Sequence, residues 1–130
     1  MTKVVVHVDG GARGNPGPAA AAAVVSTPAG DVLDEAAEAI GVATNNVAEY
    51  RGLLLGLERA RELGVVDDLD LVARQVNGLY KVKHPAMKPL HAAAMQALRA
   101  FDRWSIHSVP RAQNADADAL VNRALDARSS

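Results

Sequence analysis

At 130 residues, the chain is long enough to bury about two-thirds of its unfolded surface as one domain spanning 1–130. It has no cysteine, which excludes disulfides and thiolate sites. A formal net charge of −1 argues against a uniformly basic polyanion binder, and no apolar run approaches the roughly 18 residues that span a bilayer, so a cytoplasmic protein without a membrane partner is expected.

The first strand is the β-branched run Val4, Val5, Val6 and Val8, which delivers Asp9 into Gly10-Gly11-Ala12-Arg13-Gly14-Asn15-Pro16-Gly17. Glycine, asparagine and proline supply turn dihedrals, so this stretch also suits a plain hairpin capped by an acid. Ala19 to Thr27 is small and apolar and predicts a second strand; Val32 to Ala43 predicts a third after the turn at Pro28-Ala29-Gly30-Asp31. Three strands joined by short turns form an antiparallel meander. A strong helical pattern follows from Val47 to Leu63, stopped by Gly64, with Glu49 in its first turn.

Val65 to Val72 reads as a short strand, Ala73 to Asn77 as helical, and Tyr80 to Pro89 as a basic linker. Leu90 to Phe101 predicts a helix, Trp104 to Val109 a last strand and Ala117 to Ala127 a final helix. A meander followed by alternating helices and strands is a mixed-sheet α/β domain. Tyr50, Phe101 and Trp104 fall where core packing is expected. Charge is unevenly spread: acids dominate from Asp31 to Asp70, bases from Arg74 to Arg111. That pattern suits an acidic centre beside a basic rim, or simply solvated helix faces.

Three acids fall at element ends: Asp9, Glu49 and Asp118. Each has a plain structural explanation, since acids stabilise helix N-termini and cap turns. Together they make a carboxylate cluster whose hard oxygen donors suit Mg²⁺ or Mn²⁺. Two such ions would activate a water and stabilise the leaving oxygen of a phosphodiester.

The segments Asp9-Gly-Gly-Ala-Arg-Gly-Asn-Pro-Gly, Thr44-Asn-Asn-Val-Ala-Glu49-Tyr, Leu71-Val-Ala-Arg-Gln-Val-Asn-Gly-Leu-Tyr-Lys-Val-Lys and Pro110-Arg-Ala-Gln-Asn-Ala-Asp-Ala-Asp118-Ala-Leu resemble ribonuclease H type 1 nearly end to end, in its small bacterial branch. The resemblance implies a five-stranded mixed sheet, the first three strands antiparallel and the others parallel to the first. It also implies hydrolysis of the RNA strand of RNA/DNA hybrids by two Mg²⁺ or Mn²⁺ ions on four carboxylates, three of them matching Asp9, Glu49 and Asp118. Asn15, Asn45, Asn46 and Gln75 would contact the hybrid, and the backbone from Gly10 would approach it closely. Lys81 and Lys83, with Lys88, suit contacts to phosphates of the DNA strand or simply a solvated basic linker, and Arg111 would be the basic assistant in the loop before the last acid.

The chain departs from the family at the fourth strand, where an Asp-Ser pair should precede the next helix. Counting back from Leu71-Val72 puts Asp68 in that slot and leaves too short a strand. Counting forward from Gly64 makes Asp68 to Val72 a good strand and removes about six residues, the third metal-binding acid among them. The second register is preferred, because a missing central strand would leave its neighbours' backbone groups unpaired. The fourth ligand is then absent or improvised by Asp68 or Asp70, and activity is expected to be weak or lost. A shortened connection also invites a domain-swapped homodimer that exchanges its C-terminal half. Two other readings compete: an inactive module that binds hybrid or double-stranded RNA, and a nucleotide-binding domain using the Gly-rich turn, which leads into a strand and so lacks a helix N-terminus.

Overall fold

The computed structural model describes residues 3–65, 67–73, 87–110 and 114–129. Strands β1 (Lys3–Ala12), β2 (Gly17–Ser26) and β3 (Val32–Ala43) form the meander, followed by helix α1 (Asn45–Glu62) and strand β4 (Asp68–Ala73). Helix α2 (Lys88–Leu98), strand β5 (Arg103–Ser108) and helix α3 (Ala115–Ser129) complete the described elements. The sheet order is β3-β2-β1-β4-β5. β1 and β2, and β2 and β3, pair antiparallel, whereas β4 runs parallel to both β1 and β5.

Alternation along β1 sorts its side chains between two layers. Val4, Val6 and Val8 point with Leu69 and Leu71 of β4 into a core shared with Leu53 and Leu57 of α1, Leu98 of α2 and Phe101. On the opposite face, Ala20 and Ala22 of β2 pack against Val121 and Leu125 of α3. Ala19 to Ala23 are fully buried, as a strand covered on both faces requires. Small side chains there let helices come close on either side.

α1 begins two residues earlier than its apolar pattern suggests, because the Thr44 hydroxyl caps it, accepting from the Val47 amide at 3.2 Å. Glu49 consequently lies in the second turn rather than the first. Gly64, at φ +82°, ends the helix in the left-handed conformation that favours glycine. α2 likewise starts early, at Lys88, with Pro89 in its first turn where no amide partner is needed.

The register of β4 follows the count forward from Gly64. Ala73 is level with Val8 and Ser108, so it ends a strand instead of opening a helix. Tyr50 and Phe101 are buried as expected, but Trp104 is 37% exposed because β5 is an edge strand. The C-terminal half packs on its own chain: α2 against α1, β5 beside β4, and α3 over β1 to β3. Among the described residues no helix is long and apolar enough to cross a membrane.

Candidate active site

The C-terminal half of β1 is where three elements meet. Asp9 is 6% exposed there, level with Ala22 of β2. α1 approaches it through two glycines: a Cβ on Gly52 would overlap the Asp9 carbonyl, and one on Gly10 would lie 2.6 Å from the Glu49 amide nitrogen. Absence of those two carbons brings Glu49 beside the strand that carries Asp9. α3 is tied to the same strand by Asn114, buried to 2%, whose Nδ2 donates to the Val8 carbonyl at 2.9 Å. Asp118 follows one turn later, with the Asn122 amide 3.4 Å from its carboxylate. The acids Asp116 and Asp118 both lie in the first turn of α3, where the helix dipole favours negative charge.

The Gly-rich turn is laced to the start of α1. Asn45 Oδ1 accepts from the Ala12 amide at 2.8 Å, and Asn15 Oδ1 accepts from the Asn45 amide at 3.1 Å. With both oxygens engaged, each side chain offers its NH₂ group, so what they can meet is an acceptor. Asn46 is exposed at the second position of α1, and Gly10 is buried against Ala48. Gln75, Lys81, Lys83 and Arg111 lie outside the described residues.

β4 corrects two expectations. Asp68 is level with Lys3 and Arg103, six strand positions from Asp9, or about 20 Å at the rise of an extended chain. Asp70 is level with Val5, four positions and about 13 Å short of Asp9. It faces β5, accepting from Ser105 Oγ at 3.0 Å and from His107 Nε2 at 2.8 Å. Neither carboxylate can join Asp9, because the strand carries both toward the far end of the sheet. Ala73 reaches only the level of Val8, and the next residue in the sequence is Arg74.

The described residues therefore do not reproduce a metal cage: no group of three or more His, Asp or Glu side chains among them gathers closely enough to hold an ion. Asp9, Glu49 and Asp118 supply hard oxygens on three converging elements, without a described carboxylate from β4 between them. Burial holds the nearby His7 imidazole below its ordinary pKa, against an upward pull from Asp116 and Asp70.

Sequence reasoning missed Asn114 as the tie between α3 and β1. It also missed Gly52, whose one available signal was a glycine inside a helix of otherwise good formers.

The family described as "Reverse transcriptase-like" matches residues 7–124. "Bifunctional protein Rv2228c" of Mycobacterium tuberculosis is 50% identical over 96% of this chain, which spans 36% of that protein. The structure of its N-terminal RNase H domain superposes with a TM-score of 0.90 at 45% identity, covering 95% of this chain and 98% of that one. "Ribonuclease HI" of Halobacterium salinarum is 43% identical over 95% of this chain and 65% of its own length. LC11-RNase H1, solved in complex with an RNA/DNA hybrid, gives a TM-score of 0.91 at 36% identity over 98% of this chain and 99% of that one. The chain thus spans about a third to two-thirds of the curated relatives it matches. The alignment to the M. tuberculosis protein runs over 131 positions yet covers 96% of 130 residues, so about six positions of that relative have no counterpart here. Sequence match, sheet order and the convergence on Asp9 agree: the chain belongs to the reverse transcriptase-like, ribonuclease H family.

Proposed function

We propose that this chain is a ribonuclease H type 1 domain that engages RNA/DNA hybrid and hydrolyses its RNA strand, with activity weakened by an incomplete carboxylate set. Family membership supports the chemistry, and the likeness to LC11-RNase H1, itself solved with an RNA/DNA hybrid, supports the substrate. The observation that carries the weakening is the β4 register, which sets Ala73 level with Val8 and leaves no described acid of that strand beside Asp9. Mg²⁺ or Mn²⁺, two ions in the family's mechanism, is the expected cofactor on the hardness of the donors, Asp9, Glu49 and Asp118. These three are not joined by an acid of β4 among the described residues. What the chain's own residues do is bind and orient: Asn15 and Asn45 present amide donors, suited to 2′-hydroxyl oxygens and base acceptors.

The test is cleavage of a labelled hybrid in Mg²⁺ and in Mn²⁺, beside a variant carrying an Asp-Ser-containing insertion of about six residues after Val72. The insertion variant should cut at least about tenfold faster. Efficient cutting by the parent chain, abolished by Asp70→Asn, would overturn the proposal. A second reading, a binding module that holds hybrid or double-stranded RNA without cutting, is favoured by the lack of a three-ligand group among the described residues. Tight binding with no cleavage by either form would select it. The shortened connection also supports a domain-swapped homodimer, which would make between two chains the contacts that α2, β5 and α3 make within one. Light scattering at high concentration decides that point. A cytoplasmic location accords with all of this.

A further inference from the structure

Arg13 is the one charged side chain of the Gly-rich turn, and the turn holds it on a fixed backbone. Its amide donates to the Pro18 carbonyl at 2.8 Å, and the residue before it is fastened to Asn45. The guanidinium extends to α3, where Nη2 meets Asp126 Oδ1 at 2.6 Å across 113 residues of sequence. Both side chains are open to water, at 45% and 67% exposure. An ion pair so exposed holds weakly, and guanidinium binds phosphate as readily as carboxylate. A site lined by Asp9, Glu49 and Asp118 repels a polyanion, so a substrate with phosphates needs a cation on its rim. Arg13 sits two residues from Asn15, on the turn that leads out of Asp9.

We infer that Arg13 is a backbone-phosphate contact for the hybrid and that Asp126 is the carboxylate holding it until phosphate takes its place. The inference rests on the hybrid-binding reading above and adds to it a binding residue and the group that restrains it. Asp126 acts by occupying the guanidinium.

The experiment is fluorescence anisotropy of a labelled RNA/DNA hybrid without divalent ions, at salt from about 50 to 200 mM. Asp126→Asn should tighten binding about two- to fivefold. Arg13→Gln should weaken it and lower the log–log salt slope by roughly one, the signature of one lost phosphate contact. Arg13→Lys should restore the slope, and Asp126→Asn should have no effect once Arg13 is glutamine. Arg13→Gln with the parent slope overturns the inference, as does weaker binding by Asp126→Asn. Equal losses of thermal midpoint in both variants, with the slope unmoved, would show a structural brace and overturn it too. A parent chain with no affinity for hybrid brings down the hybrid-binding reading and this inference together, whereas the variant outcomes bear on Arg13 alone.

Discussion

The hydrogen bond from Asn114 to the Val8 carbonyl joins residues 106 apart in sequence and fixes where α3 begins relative to Asp9. Its Oδ1 is buried with no hydrogen-bond partner among the described residues. Asn114→Ala removes this buried hydrogen bond and should lower stability by about 1–3 kcal/mol in urea denaturation. His7, on the neighbouring face, gives a pH signature. Its folded pKa lies below the ordinary 6.5, so the unfolded chain takes up a proton first as the medium is acidified. Stability should be full above that value and decline as pH falls through it, and thermal midpoints of a His7→Gln variant should lose that slope. Asp70, held by Ser105 and His107, should behave as a strand-pairing residue: Asp70→Asn alters thermal stability and leaves divalent-ion affinity, read by calorimetry, where it was.

Among the elements, α1 and β1 set the geometry of the site by how closely they approach. On helix propensity alone Gly52→Ala would stabilise by roughly 0.5–1 kcal/mol. Here the added carbon meets the Asp9 backbone, which cannot swing aside as a side-chain tip can, and the sign reverses. A loss of about 1–3 kcal/mol is expected by denaturant titration, with hybrid cleavage falling further as Glu49 is pushed from the strand. These elements differ in how far the sequence revealed them. β3 carries the predicted bounds, because its turn at Pro28 to Asp31 and the Thr44 cap both punctuate it locally. The forward count from Gly64 located β4, since a left-handed glycine and a short apolar run are local signals too. Trp104 was misread because an edge strand and a central strand have the same pattern, and only the sheet order tells them apart.

At the scale of the whole molecule, Asp9, Glu49 and Asp118 stood out in the sequence because each was expected at an element end, whereas Asp9 lies within β1 and Glu49 in the second turn of α1. What packs their elements together was not legible: Asn114 to Val8 and Gly52 to Asp9 are contacts between distant segments, and no spacing in a single sequence encodes them. The same holds for the bidentate pair that Arg59 of α1 makes with Asp34 of β3, at 2.6 and 3.0 Å. That pair holds the Asp34 carboxyl below the usual carboxylate range, chiefly through the hydrogen bond from the guanidinium. It is open enough to solvent that Asp34→Asn should cost under about 1 kcal/mol and less at high salt, as thermal melts at two ionic strengths would report.

The place of β1 between an antiparallel and a parallel neighbour also divides the folding reaction in time. β1 to β3 and α1 lie within the first half of the chain and assemble through short connections, whereas Lys3 must wait for Asp68, sixty-five residues away, before its other edge is paired. Loops of that length close slowly, so the early half forms with the backbone of Val4 to Val8 still open along one side. An edge left unpaired in this way is open to pairing with another strand. The strand that must seal this edge is β4, so a shortened passage out of β4 would bear on folding yield as well as on turnover.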